Sequence, residues 1–224
     1  MIRLSKRDIP PVLQQNSGQW TQALIAHATA HTKPTDSERT RYNHPEIKTA
    51  LLTETHGKCA YCESKFRHVT YGDIEHIVPK SVRVEKTFEW LNLTVACDVC
   101  NTNKGNHFGH HEDLVDPYVV EPNEHLNFVG VLVFGKSCSP AGQITETTLD
   151  LNRLPLIERR KERLEALKNL LHRFAEVRDA GIKAVLRRDL ETKELADDRE
   201  YAAMARVFVS EQLREIDARA NLHT

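Results

Sequence analysis

The sequence has no apolar run approaching the ~20 residues that a membrane-spanning helix needs. Its opening, Met1-Ile2-Arg3-Leu4-Ser5-Lys6-Arg7-Asp8, lacks the apolar stretch of a secretory signal, so a cytoplasmic protein is expected. A basic excess is missing too. Lys and Arg number 31 against 32 Asp and Glu, and the balance holds within residues 58–112 and over the last seventy. Unaided grip on duplex nucleic acid draws on phosphate neutralisation, so any hold on DNA or RNA should be local and modest, with a partner doing part of the holding. Internal repeats and low-complexity tracts are absent. So is an even set of cysteines: there are five, four of them in two close pairs. Without an export signal, that favours metal binding over disulfides.

What remains is 224 residues, 40% hydrophobic and 28% charged, enough for one domain with additions or two small ones around a real core. The pattern is α+β and mainly helical, in four stretches. Residues 1–56 form an N-terminal helical region. Its first helix is expected around 17–30 and a polar link with Pro34, Asp36 and Ser37 follows. A second helix comes next, with Asn43 as N-cap, Pro45 in its first turn and Gly57 at its stop. Ile47, Leu51 and Leu52 mark the apolar face of this second helix. Residues 57–112 are dense in Cys, His, Asn and Gly, with β-prone runs at 69–78 and 91–95. Residues 113–154 hold an apolar run, 128–134, then a Gly/Pro-rich turn, 135–142. Residues 143–149 read as the returning strand of a hairpin, with Cys138 an inert surface thiol in the turn. From 155 to 224 the pattern is helical, broken at Gly181. One stripe is Ile157, Leu164, Leu167, Leu171 and Phe174, a second Ile182, Val185, Leu186 and Leu190, and a third Val209, Leu213, Ile216 and Ala220. Such stripes predict antiparallel helices packed on one another, or else a docking surface.

The two cysteine pairs are Cys59-Ala60-Tyr61-Cys62 and Cys97-Asp98-Val99-Cys100, a C-x2-C motif repeated across a 34-residue spacer. Four thiolates suit tetrahedral zinc, and two intervening residues let one tight turn present both sulfurs to one ion. An all-sulfur set closes the site, so this zinc would be structural and its loss would unfold the middle of the chain.

The spacer carries Asp73-Ile74-Glu75-His76-Ile77-Val78-Pro79-Lys80 and Trp90-Leu91-Asn92-Leu93, and Asn101-Thr102-Asn103-Lys104-Gly105 follows the last cysteine. Glu75 and His76 are neighbours on a predicted strand and point to opposite faces unless the strand ends there, which Pro79 makes plausible. Phosphodiester hydrolysis needs a base that is neutral at pH 7 and a cation for the developing charge. Histidine suits the first role, and a carboxylate with an amide oxygen suits Mg2+ or Mn2+. Lys104 could add a phosphate contact.

At residues 59–105 the sequence resembles the HNH, or ββα-metal, endonucleases. The likeness rests on the knuckles, the Glu-His-Ile-Val-Pro core, the Asn-Leu of the second strand and the Cys-Asn-x-x-Lys of the helix. It implies a zinc-clipped ββα-metal core that hydrolyses DNA. His76 would be the general base, and Glu75 and Asn101 the ligands of the catalytic cation. Asn92 would hold the loop and orient the histidine, and Asp73 could support the metal shell. Two departures stand out: Glu75 where Asp is commoner, and Asn101 where the family's last histidine usually stands. His107, His110 and His111 are not required by the family and read as a solvated loop. Looser signatures extend the likeness to the PtuB-type nuclease subunits of the Septu anti-phage system and their retron-associated relatives. They are the opening helix pair, Asp116-Pro117, Thr148-Leu149-Asp150-Leu151-Asn152-Arg153-Leu154 and Arg159-Arg160. That resemblance implies an ABC/SMC-like ATPase partner of the PtuA type. Asn152 and Arg153 read equally as a helix-start cap with a surface charge or as functional residues. The competing reading of the whole is a non-catalytic zinc module that binds nucleic acid or a protein; a third is a stand-alone restriction or toxin-like nuclease.

Overall fold

Two prolines decide where the first helix begins. Pro11 sits in the first turn, where a missing N–H breaks no bond, and α1 runs Pro11–Thr29, starting well before the expected residue 17. The computed structural model describes residues 1–109 and 114–221 of the chain. The polar link contains a short helix, α2 (Asp36–Thr40), held by a capping box in which Thr35 and Glu38 satisfy each other's backbone N–H groups. The next helix, α3 (Pro45–Glu54), takes His44 as its N-cap in place of Asn43, which closes the 3-10 turn Arg41–Asn43. Gly57, at φ +69°, lies just past its end, as the sequence implies.

Strands β1 (Asp73–His76) and β2 (Leu93–Ala96) pair antiparallel, Asp73 opposite Ala96 and His76 opposite Leu93. They are shorter than the β-prone runs. Residues 69–72 turn back on Thr70, whose hydroxyl donates to Asp98, and Trp90–Asn92 winds into a 3-10 turn. All of β2 is buried. Helix α4 (Asp98–Lys104) follows at once, so strand, strand and helix succeed one another as in a ββα core.

Beyond it the hairpin departs from expectation. After α5 (Pro122–His125), the apolar run supplies both strands itself, β3 (Leu126–Val129) and β4 (Leu132–Gly135), around Gly130 at φ +58°. Residues read as the returning strand form helix α6 (Pro140–Thr148). Ser139 explains why: its hydroxyl accepts from Gly142 N at 3.0 Å and Pro140 occupies the first turn. Cys138 lies in the loop leading into α6 and is exposed.

The C-terminal region holds α7 (Leu154–Glu176), α8 (Ala180–Asp189), a π-helical turn (Leu190–Glu194) and α9 (Ala202–Asn221). Gly181 lies inside α8; the break is at residues 177–179, where Asp179 caps the next helix. Leu167, Leu171 and Phe174 pack with Leu190, Val209 and Leu213 in a core of their own, so the first and third stripes face each other. The second does so only in part: Leu190 is buried, whereas Ile182 and Val185 are more than half exposed. No described helix is long and apolar enough to cross a membrane.

A larger core joins α1, α3, the cysteine knuckles, β1, β2, the hairpin and the start of α7. Two buried charge clusters pin it. Lys6 donates to Glu54 (3.2 Å) and to Leu93 O, with its ammonium 4.3 Å from the ring centres of Trp90 and Tyr118. Lys58 pairs with Glu63 at 3.2 Å and donates to Arg199 O at 2.9 Å, fixing the turn before α9 against the first knuckle. Burial makes both pairs costly to break from one side.

Candidate active site

The four Cys59, Cys62, Cys97 and Cys100 sulfurs lie within 4.8 Å of one another, all buried. The first knuckle is a tight turn closed by Cys59 N donating to Ser64 O (2.9 Å), and Ala60 N donates to Val95 O (3.0 Å), which ties it to β2. The second is the start of α4, where Cys97 is the N-cap and the helix dipole favours negative sulfur. Burial pushes the Cys59 thiol up, while hydrogen bonds from Cys100 and Cys59 draw Cys62 down. Four buried sulfurs at such distances could hold a metal ion, and the set fits tetrahedral zinc.

Beside this cluster a cleft of about 340 Å³ is lined by Tyr42, Asp73, Glu75, His76, Lys80 and Asn101, among others. His76 ends β1, so it and Glu75 reach the same cleft although they are neighbours in sequence. The imidazole Nε2 lies 3.0 Å from Thr87 O. A carbonyl only accepts, so Nε2 carries the proton and Nδ1 is the basic nitrogen of the neutral ring. Burial, helped by Lys80, lowers the His76 pKa to about 4, which keeps the ring neutral at pH 7.

Asn92 is buried, and its amide bonds go to backbone and not to the histidine ring. Its Oδ1 accepts from Val78 N (2.7 Å), and its Nδ2 donates to Val78 O and Lys86 O (both 3.0 Å). It thus staples both ends of the loop between the strands and fixes the residue preceding Thr87, the partner of His76. Asn101 donates from Nδ2 to Asp73 Oδ2 (2.7 Å), which turns its amide so that the oxygen is left for other partners.

Lys104 faces inward. It is buried, its ammonium 2.5 Å from Glu75 Oε1 and donating to His76 O at 2.8 Å. Both contacts are internal, so it braces the end of β1. Burial raises the Glu75 pKa against the pull of Lys104. His107 is exposed; His110 and His111 lie outside the described residues.

Two cleft residues escape motif reading. Tyr42, from the 3-10 turn before α3, sets its ring 4.7 Å from that of His76 at 84°. Lys80, directly after Pro79, donates to the Tyr42 hydroxyl and lies 4.1 Å from its ring centre. No carboxylate among the described residues pairs with Lys80. The Glu-His-Ile-Val-Pro run could have flagged Lys80 by adjacency; nothing local flags Tyr42.

Comparison with known proteins supplies the wider context. Residues 59–107 match the family model for HNH endonucleases. The chain is 29% identical over 155 residues to a Septu protein PtuB of Bacillus thuringiensis, an alignment covering 69% of this chain and 56% of that protein. It is 27% identical over 224 aligned residues to a Septu protein PtuB of Bacillus mycoides (strain KBAB4), covering 84% of this chain and 75% of that one. The chain therefore spans little more than half the length of the first relative. Residues 59–107 are thus similar to HNH endonucleases, within a chain similar over most of its length to Septu PtuB proteins.

Proposed function

We propose that this chain is a divalent-metal-dependent endonuclease that hydrolyses DNA phosphodiester bonds. It would serve as the nuclease subunit of an anti-phage complex with an ABC/SMC-like ATPase of the PtuA type. The observation that carries the chemistry is the His76 imidazole, neutral and held by Thr87 O, in one cleft with Glu75 and Asn101. His76 Nδ1 takes the proton of the attacking water. Glu75 and Asn101 would hold Mg2+ or Mn2+, with Asp73 fixing the amide; a carboxylate and an amide oxygen are the hard donors such a cation takes. When bound, the cation supplies stabilisation of the charge on the leaving 3′-oxygen. Asn92 and Lys104 keep the strand end and loop rigid, so the base stays in register with the ligands. The near-zero net charge and the PtuB likeness support recruitment to DNA by the partner.

The test is cleavage of supercoiled plasmid and of RNA in Mg2+ or Mn2+, by the chain alone and with its ATPase. DNA cutting abolished by EDTA is expected; no cutting of either substrate under any condition would favour the zinc-scaffold reading. Lys80, exposed where Lys104 is buried, is the cleft's better-placed phosphate contact. Lys80→Ala should weaken cleavage about 10–100-fold, chiefly through KM and less at high salt, the size of a lost charge-assisted bond. An unchanged KM would remove Lys80 from the substrate.

A further inference from the structure

The Leu-Asn-Arg-Leu turn before α7 lies outside the cleft, yet both of its polar residues are committed. Asn152 accepts from Val133 N (2.9 Å) and donates to Val133 O (2.7 Å), which holds β4. Arg153 is anchored by one arm of its guanidinium, Nη1 donating to Leu149 O and Asp150 O, both at 3.0 Å. The other arm is aimed at sulfur, Nη2 lying 3.4 Å from Cys100 Sγ and 3.8 Å from Cys97 Sγ. No carboxylate among the described residues pairs with Arg153. Farther along the helix, Arg160 is fully buried and equally without a carboxylate, held by Val131 O at 3.1 Å and the faces of Phe128 and Tyr201.

Arg153 is half-buried with no carboxylate partner among the described residues, and a Zn2+ ion ringed by four thiolates would be doubly negative. We propose that Arg153 is the outer counter-charge of the zinc–thiolate centre, slowing zinc loss and damping the reactivity of Cys97 and Cys100. The fork is preorganised: two backbone carbonyls fix one arm so that the other cannot swing away from the sulfurs. Partners beyond the ligands commonly set metal retention as strongly as this. The inference rests on the four-cysteine cluster holding zinc.

The experiment uses the full chain, wild type with Arg153→Gln and Arg153→Lys. Zinc content is measured first, then zinc transfer to excess 4-(2-pyridylazo)resorcinol. Cobalt-substituted protein adds the energy of the thiolate-to-metal absorption band. Arg153→Gln should release zinc about 10-fold faster or more. Its cobalt band should move to lower energy, because the sulfur electrons lose a stabilising charge. A purely structural role would leave that band in place. Arg153→Lys should fall between the two, since an ammonium keeps the charge but cannot span both carbonyls and the sulfurs. If the Gln variant does not fold, Arg153→Met takes its place, and wild-type kinetics there overturn the proposal. Zinc-loaded protein whose variants match wild type in rate and band overturns it while leaving the zinc reading intact. Wild type purified without zinc overturns both.

Discussion

His76→Ala should abolish metal-dependent DNA cleavage, lowering the rate by about 10²–10⁴-fold, the usual contribution of a positioned general base. The geometry gives that variant a limited structural effect. Among the described residues, the His76 side chain hydrogen-bonds to Thr87 O and stacks edge-on against the Tyr42 ring. Loss of the donor leaves a buried carbonyl short of a partner, which costs about 1–3 kcal/mol. In a domain of this size each kcal/mol lowers Tm by about 2–4 °C. Cleavage should therefore vanish in a protein that still melts cooperatively and keeps its zinc. Plasmid cleavage, calorimetry and metal analysis on one preparation separate the two effects. Full activity in His76→Ala would remove the imidazole from the reaction, whatever the rest of the cleft does.

The second large effect is expected at the cysteine cluster. Cys100→Ser, or zinc stripped by a chelator, should unfold the ββα region and abolish cleavage. Site formation in small zinc-clipped units is worth about 10–16 kcal/mol, against total stabilities of about 5–15 kcal/mol for whole domains. The position of the cluster sets what is lost. Its second pair opens α4, and the same seven-residue helix carries Asn101 into the cleft and Lys104 beneath Glu75. The first pair is fastened to β2 through Ala60 N and Val95 O. Circular dichroism and Tm of the metal-free chain are the measurements. Zn2+, and not Mg2+ alone, should restore both fold and cutting. A metal-free chain with wild-type Tm would show that the cluster does not hold the domain together.

Much of the scaffold was legible because its signals are local. Pro45 and Gly57 punctuate α3, and the cysteine spacing anticipates the sulfur cluster. The strand that carries Glu75 and His76 and its partner are legible too, though both are shorter than the β-prone runs, which Thr70 and the 3-10 turn at Trp90 cut short. Residues 143–149 misled because Ile144, Thr145, Thr147 and Thr148 are β-branched. The Ser139-Pro140 start then overrode their propensity. The ion pair of Lys104 is not legible locally: its place at the end of α4 says nothing of the buried carboxylate it meets across the fold. Tyr42 and the sulfur contact of Arg153 were invisible because each depends on residues far away in sequence.

The reach of those distant partners limits what can be cut out. A cassette trimmed to residues 59–107 would keep the Glu-His-Ile-Val-Pro run and all four sulfurs. It would forfeit the tyrosine beside the imidazole, the Lys6–Glu54 brace against Leu93, and the arginine fork on Cys100. Grafting this nuclease onto another protein would therefore require transplanting the helices that come before and after it.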